Sequence, residues 1–324
     1  LTRSSAASDV YKRQILLMSP KKFCLLTNDV ETTSIWHNSL RDETGIKVYK
    51  EGMPKLLDLY EKYNIKSTFF FTGYIAKLIP EVVKMVIPNG HEVGSHGMSH
   101  ERIDGFDLMT IDNQILNLKT SKKILEDITG NEVVSFRAPA LRVSKNTVIA
   151  LEESEYLIDS SIASQRFDMF MSFGGLKKLN WLFAPRLPYR ASKKSIFKKG
   201  YSNIVEVPLS ASFIPYVGTT LRIFPWISKY QRKILSLESS LIGKPIVFDV
   251  HPNEFIDESM EKREKKKRAS NLFLSFFQDY LRSKLKAKNL GDSGIKLYER
   301  EINSFQKQNF KFTTIKNYVN KINL

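Results

Sequence analysis

Apolar residues recur along this chain in two alternating rhythms. Short runs rich in β-formers read as strands: Lys22–Asp29 (KFCLLTND), Ser67–Thr72 (STFFFT), Glu92–Ser95, Val133–Phe136, Tyr156–Asp159, Asn203–Val207 and Pro245–Val250 (PIVFDV). Between them lie segments with helical spacing. Ile46–Tyr63 carries Val48, Met53, Leu56, Leu57, Leu59 and Tyr60 near that period, and Pro54 marks the start of a regular helix. Pro80–Ile87 is a short helix stopped by Pro88-Asn89-Gly90, Thr110–Ile128 a long one ending before Gly130, and Ser144–Glu153 one that opens on a Ser cap. Strands separated by helices imply βαβ units and a mostly parallel sheet. About seven strand signals predict an α/β fold, a distorted and incomplete (β/α) barrel, with an open doubly wound sheet as the structural alternative.

Two stretches break the rhythm and are expected to be insertions. Residues 166–199 mix aromatics, Gly174-Gly175 and a basic cluster, and are expected over one barrel face; 258–290 is expected to be helical and basic. The tail, Asp292–Asn320, reads as a helix, a strand near Phe310–Thr313 and a closing helix. Ser4–Gln14 (SSAASDVYKRQ) reads as translated sequencing-adapter read-through. Residues 1–17 are therefore expected to be non-native and disordered, with a natural start at Met18. No repeat or linker divides 18–324, which is expected to be a single domain.

Composition narrows the function. The chain has 324 residues, 42% of them hydrophobic, enough for a large core. Its formal charge of +16 favours anionic partners: a phosphorylated substrate or an acidic membrane surface. Nucleic acid is not expected, since no zinc-finger, RNP-type or helix-turn-helix signature accompanies the charge. The single cysteine, Cys24, lies in an apolar run and is expected in the core. No run approaches the ~20 apolar residues of a membrane helix, and no secretion signal is legible. The expected location is cytoplasmic, peripheral at the inner membrane surface.

The chemistry is concentrated at predicted strand ends, where active sites of parallel α/β folds collect. His96 and His100 form an HxxxH pair after Glu92–Ser95, and residues four apart share one side of a helical turn, bringing two imidazoles to one ion. Asp29 and Glu31 close the first strand; residues i and i+2 of an extended segment share a face, so both carboxylates can enter one site. One would complete a His₂–carboxylate metal site and the other would act as general base on water. His251 follows PIVFDV, where a His facing the metal becomes a general acid, with Asp249 able to tune it. Arg137, after Val133–Phe136, is expected to pair with a carboxylate and hold the base ionised.

Taken in order, these segments resemble the polysaccharide deacetylases, the NodB-like carbohydrate esterases. Thr27–Glu31 (TNDVE) corresponds to a motif usually written TFDDG, Ser95–His100 (SHGMSH) to the histidine motif, Phe136–Ala140 (FRAPA) to the Arg-x-Pro motif, Tyr156–Ser161 (YLIDSS) to the fourth motif, and Phe248–Pro252 (FDVHP) to the terminal histidine motif. The resemblance spans Lys22–Glu254 and implies a distorted (β/α) barrel that hydrolyses an N-acetyl amide at a divalent metal, commonly zinc. By resemblance Asp29 is the base, His96 and His100 are ligands, Arg137 orients the base, and His251 protonates the departing amine. Val30 stands where the second Asp of the motif usually provides a ligand, and Glu31 is the expected substitute, as in branches with an Asp-x-acid pattern. Trp36, His37, Pro139 and Asp249 are the remaining candidates, for contact with substrate.

The expected substrate is an N-acetylated sugar or glycan precursor, phosphate-linked, in a bacterial surface-glycan pathway. Two alternatives stand beside it: a hydrolase of another non-peptide C–N amide bond, including cyclic ureides, and a non-catalytic glycan- or membrane-binding module on the same scaffold.

Overall fold

The computed structural model describes residues 20–165, 180–262, 282–322 and 324; the read-through expected at 1–17 lies outside them. Each of the seven expected strands forms: β1 Phe23–Val30, β2 Thr68–Phe71, β3 Glu92–Ser95, β4 Ser135–Phe136, β5 Ile158–Asp159, then, after a hairpin of β6 Tyr189–Ser192 and β7 Ser195–Lys199, β8 Val205–Glu206 and β9 Ile246–Val250. A short β10, Lys311–Phe312, pairs with β1 near the expected tail strand. Sheet order is β9-β1-β2-β3-β4-β5-β8-β6-β7, parallel from β9 through β8, and the sheet curls into half a barrel.

The hairpin corrects one expectation. Residues 166–179 lie outside the described residues, but the later part of the expected insertion is sheet: β6 pairs antiparallel with β8 and extends the edge. Its alternation, Tyr189 and Ala191 buried with Arg190 exposed, was hidden in the sequence by the lysines of the turn. Of the second expected insertion, 263–281 lies outside the described residues; beyond it Arg282–Lys286 is helical.

Helices form where the period predicts, with shifted ends. The segment expected from Ile46 begins at Asp42, passes through a π-helical stretch at Val48–Gly52, and continues as α1, Met53–Lys62, with Pro54 in its first turn. An unpredicted α2, Gly73–Leu78, is capped by the Thr72 hydroxyl. In α3, Ile111–Thr129, the Thr110 hydroxyl accepts from Asn113 N and Gly130 ends the helix at φ 65°, a left-handed position that glycine occupies without strain. α4 spans Thr147–Glu153, α5 Pro225–Ile242 and α6 Asp292–Lys307. α5 was not legible because its outer face is apolar too, which blurs the period.

The core is continuous from Cys24 and Leu25 on β1 through Phe69 and Phe71 on β2 to Ile302 and Phe305 on α6. Tyr298 of α6 stacks on Phe248 and Phe255, with centroids 5.8 and 5.9 Å apart, and its hydroxyl meets that of Tyr60 at 2.8 Å. This packing fixes β9 and the turn after it. Because the strands are parallel, Val30, Ser95, Phe136 and Val250 all end at one rim.

Candidate metal centre

The rim gathers the residues singled out at strand ends. On β1 the period of two sends Val30 into the core, fully buried, and leaves Asp29 and Glu31 on the site face. The carboxylate missing at Val30 is thus offered one residue later. Glu31 Oε2 lies 2.9 Å from His100 Nε2, and Asp29 Oδ2 lies 3.6 Å from His96 Nε2.

His96 and His100 converge, with Nε2 atoms 3.0 Å apart, but not by helical spacing. The SHGMSH segment is an irregular loop turned by Gly97 at φ 65°. Its backbone is pinned on two sides: Gly73 N and Tyr74 N of α2 donate to the Gly97 and Met98 carbonyls, and Met98 N donates to Asn117 Oδ1 of α3. Asn117 carried no motif signal, since only the tertiary fold brings α3 beneath the loop.

Arg137, wholly buried, is the hub. Its Nη1 donates to Asp29 Oδ1 at 2.9 Å, Asp249 Oδ1 at 2.6 Å and Thr27 Oγ1 at 2.8 Å, while Nε and Nη2 donate to the carbonyl and hydroxyl of Ser160, each at 2.9 Å. The guanidinium lies 4.5 Å from the Phe70 ring centroid. The sequence supports one carboxylate partner; the fold supplies two. Burial works against ionisation of Asp29, but Arg137, then His96 and His251, hold its carboxyl below the usual range. Burial and the nearby Asp29 charge push Asp249 up to about 7.

His251 faces this pair, its Nε2 3.9 Å from Asp29 Oδ2 and its Nδ1 3.8 Å from Asp249 Oδ2. Burial disfavours the imidazolium, but Asp249, then Asp29, Glu254 and Glu31, bring it to about 8. The turn behind it is built by Glu254, whose own N–H donates to the His251 carbonyl at 2.9 Å and whose Oε1 accepts from Thr219 Oγ1 and Arg222 Nη2. A Cβ on Gly52 would collide with the Pro252 carbonyl, so the π-helical stretch can press on this turn only with glycine there.

The donor set fits a divalent cation. His96 Nδ1 lies 2.8 Å from the Arg137 carbonyl, which can only accept, so Nδ1 carries the proton and Nε2 presents a lone pair. Burial lowers His96 to about 4, keeping it neutral. Burial opposes ionisation of Glu31, yet His100, then His251 and His96, hold it at about 2. Its buried Oε2 makes no directional hydrogen bond among the described residues. Acceptor atoms of Glu31, His96 and His100 therefore face one point within 4.8 Å of each other, as a ligand triad does. Asp29, Asp249 and His251 form a second close group beside it.

The other candidates are placed differently. Asp249 is 3% exposed, bonded to Arg137 and Thr27 behind the site, which corrects the expectation of substrate contact there. His37 is corrected likewise: it is buried, with Nε2 2.9 Å from Glu261 Oε2. Trp36 Nε1 donates to the Glu261 carbonyl, so this pair joins the β-turn after β1 to the loop at Glu261. Pro139 is buried as the first residue of a short 3₁₀ turn, Pro139–Leu141. Cys24 is in the core, where burial pushes its thiol up. Sequence reasoning missed Thr27, Ser160 and Glu254, although Thr27 shares the face of Asp29 and Glu254 stands three residues after His251 as in a capping box. Asp159, the acid of the fourth motif, was given no role there, and Glu206 was missed; they are register partners on β5 and β8, both fully buried and both pushed up by burial.

A cleft of about 590 Å³ opens beside the histidine loop, lined by Tyr74, Met98, Ser99 and Glu101 among others. That is room for a sugar.

Comparison with known proteins agrees with these motifs. Residues 29–157 match the polysaccharide deacetylase family model. The chain is 30% identical over 146 residues to a peptidoglycan deacetylase of Helicobacter pylori, covering 43% of this chain and 49% of that one. It is 30% identical over 108 residues to a peptidoglycan-N-acetylglucosamine deacetylase of Bacillus cereus, covering 33% and 38%. The chain thus spans at most about half the length of these curated relatives. Among solved structures it resembles Puue allantoinase (TM-score 0.57, 13% identity, 92% of this chain and 89% of that one). It equally resembles a protein described as a probable polysaccharide deacetylase from Pseudomonas aeruginosa PAO1 (TM-score 0.57, 14% identity, 92% and 89%); at these identities the likeness speaks for the fold. Residues 29–157 thus carry the match to the polysaccharide deacetylase family, and the motifs gathered at the rim agree with it.

Proposed function

We propose that this protein is a metal-dependent hydrolase that removes acetyl from an N-acetylated sugar of a glycan or glycan precursor. The observation that carries the reading is the convergence of Glu31 Oε2, His96 Nε2 and His100 Nε2 beside an Asp29 held by Arg137. A divalent ion held by Glu31, His96 and His100, zinc being the expected one, would supply Lewis-acid polarisation of the acetyl carbonyl and acidify water.

The remaining work falls to the chain's own residues. Arg137 occupies Asp29 Oδ1, which leaves Oδ2 to take a proton from the attacking water. The low position of the Asp29 carboxyl keeps it ionised at neutral pH. His251, at about 8, is largely protonated there and can give its Nε2 proton to the departing nitrogen. His96, neutral with Nδ1–H turned to the Arg137 carbonyl, stays a lone-pair donor. The charge of +16 supports a phosphate-bearing carrier for the sugar and a site of action at the cytoplasmic face of a membrane.

Two measurements test this reading: elemental analysis of the purified protein, and acetate release from N-acetylglucosamine oligomers. The expected result is about one ion per chain, lost in His96→Ala and Glu31→Ala together with activity. Metal-free wild type after reconstitution, or acetate release that survives His96→Ala, overturns it.

A further inference from the structure

The outer face of α5 carries large apolar side chains that nothing among the described residues covers. Trp226, Tyr230, Ile234, Leu237 and Leu241 are 64, 60, 52, 61 and 69% exposed. At 100° per residue they fall within an arc of about 80°, a continuous stripe about 22 Å long on the helix surface. A monomer surface rarely leaves so contiguous a patch without a use.

We propose that this stripe is a membrane-docking face that seats the protein on an acidic lipid surface. Charge and residue type together select that occupant. Lys229 and Lys233, both exposed, border one edge of the stripe. The one carboxylate on the helix, Glu238, is taken up by Arg186 and Lys244 on the other side, so no acid opposes the lysines. Trp226 and Tyr230 have amphipathic rings suited to the headgroup level, and lysine stems lie along apolar surface while their ammonium groups reach for anionic headgroups. The whole chain, at +16, is drawn to the same surface.

The topology gives the docked face a bearing on the chemistry. Val217, just before α5 and the short helix Gly218–Ile223, bridges in parallel to Asp249 at the end of β9. The chain then returns along α5 to the start of β9. Trp226 and Tyr230 therefore stand at the end of α5 nearer the catalytic rim, and Leu241 at the far end. A protein seated by this helix presents its rim beside the lipid surface. The docking itself does not depend on whether the metal centre turns over.

Co-sedimentation of the full chain with vesicles tests the proposal. Binding is expected to phosphatidylglycerol-containing vesicles and not to pure phosphatidylcholine, and to be reversed by salt. Leu237→Ser with Leu241→Ser should weaken partition at least about tenfold while leaving circular dichroism unchanged, since these side chains lie outside the fold's core. Lys229→Glu with Lys233→Glu should weaken it at low salt. Wild type that ignores phosphatidylglycerol vesicles overturns the proposal, as do both double variants binding like wild type. So does a dimer in sedimentation velocity that the leucine pair abolishes, which would make the stripe a self-interface.

Discussion

Replacing Arg137 by Met probes the hub of the site with a side chain of similar length and no charge. In the wild type one buried guanidinium answers two buried carboxylates, Asp29 and Asp249, at 2.9 and 2.6 Å. Removing one partner of a buried ionic cluster costs about 3–5 kcal/mol, because the remaining charge is left without compensation. Here two carboxylates are left, so the upper part of that range is expected, roughly 6–7 °C in Tm for a chain of this size. The pH dependence identifies the cause. In the wild type the Asp29 carboxyl is held low, so its stabilising contribution is present above the unfolded pKa and fades as pH falls through the lower folded value. Without Arg137, burial dominates: the folded value of Asp29 rises above its unfolded one, and that of Asp249, already up at about 7 in the wild type, rises further. Each then favours folding while protonated and opposes it as pH rises, so the deficit against wild type should be largest near pH 8 and shrink toward pH 5. Thermal unfolding of both proteins across that range measures it. A variant as stable as wild type at pH 8, or a deficit that does not shrink with acid, refutes the account of Arg137 as a charge partner.

Three further outcomes are expected. Asp29→Asn should lower turnover about 10²–10⁴-fold, the usual worth of a general base, while elemental analysis still finds the ion. In pH–rate profiles, His251 should set a basic limb near 8 in the wild type. Asp249→Asn removes the strongest upward influence on His251 and should move that limb down by about one unit, whereas an unmoved limb would detach His251 from the proton donor role. Gly52→Ala, which drives a methyl against the Pro252 carbonyl, should destabilise by about 1–3 kcal/mol in denaturant unfolding and lower kcat through the displaced His251 turn.

Much of the scaffold was legible from local pattern. The seven parallel strands were readable because each is a short run of β-formers closed by a turn signal, and α3 because Thr110 and Gly130 mark its ends. The hairpin β6–β7 escaped because an edge strand is allowed a charged outer face, and lysines there conceal its period. α5 escaped for the opposite reason, an apolar outer face that its own fold does not bury.

The amino-acid sequence by itself determined which residue types stand at the strand ends: two carboxylates on one face of β1, two histidines after β3, an arginine after β4 and a histidine after β9. Those placements follow from a period of two and from the alternation of strand and helix along the chain, both local patterns. Only the tertiary structure decided how the residues meet. It turned the histidine pair through Gly97 rather than a helix, gave Arg137 a second carboxylate in Asp249, and pointed the His96 proton at a carbonyl. It also drew His37 to Glu261, more than two hundred positions away in sequence. Hydrogen-bond partners and pKa directions depend on burial and on charges brought together across the sheet, and no run of neighbouring residues encodes those distances.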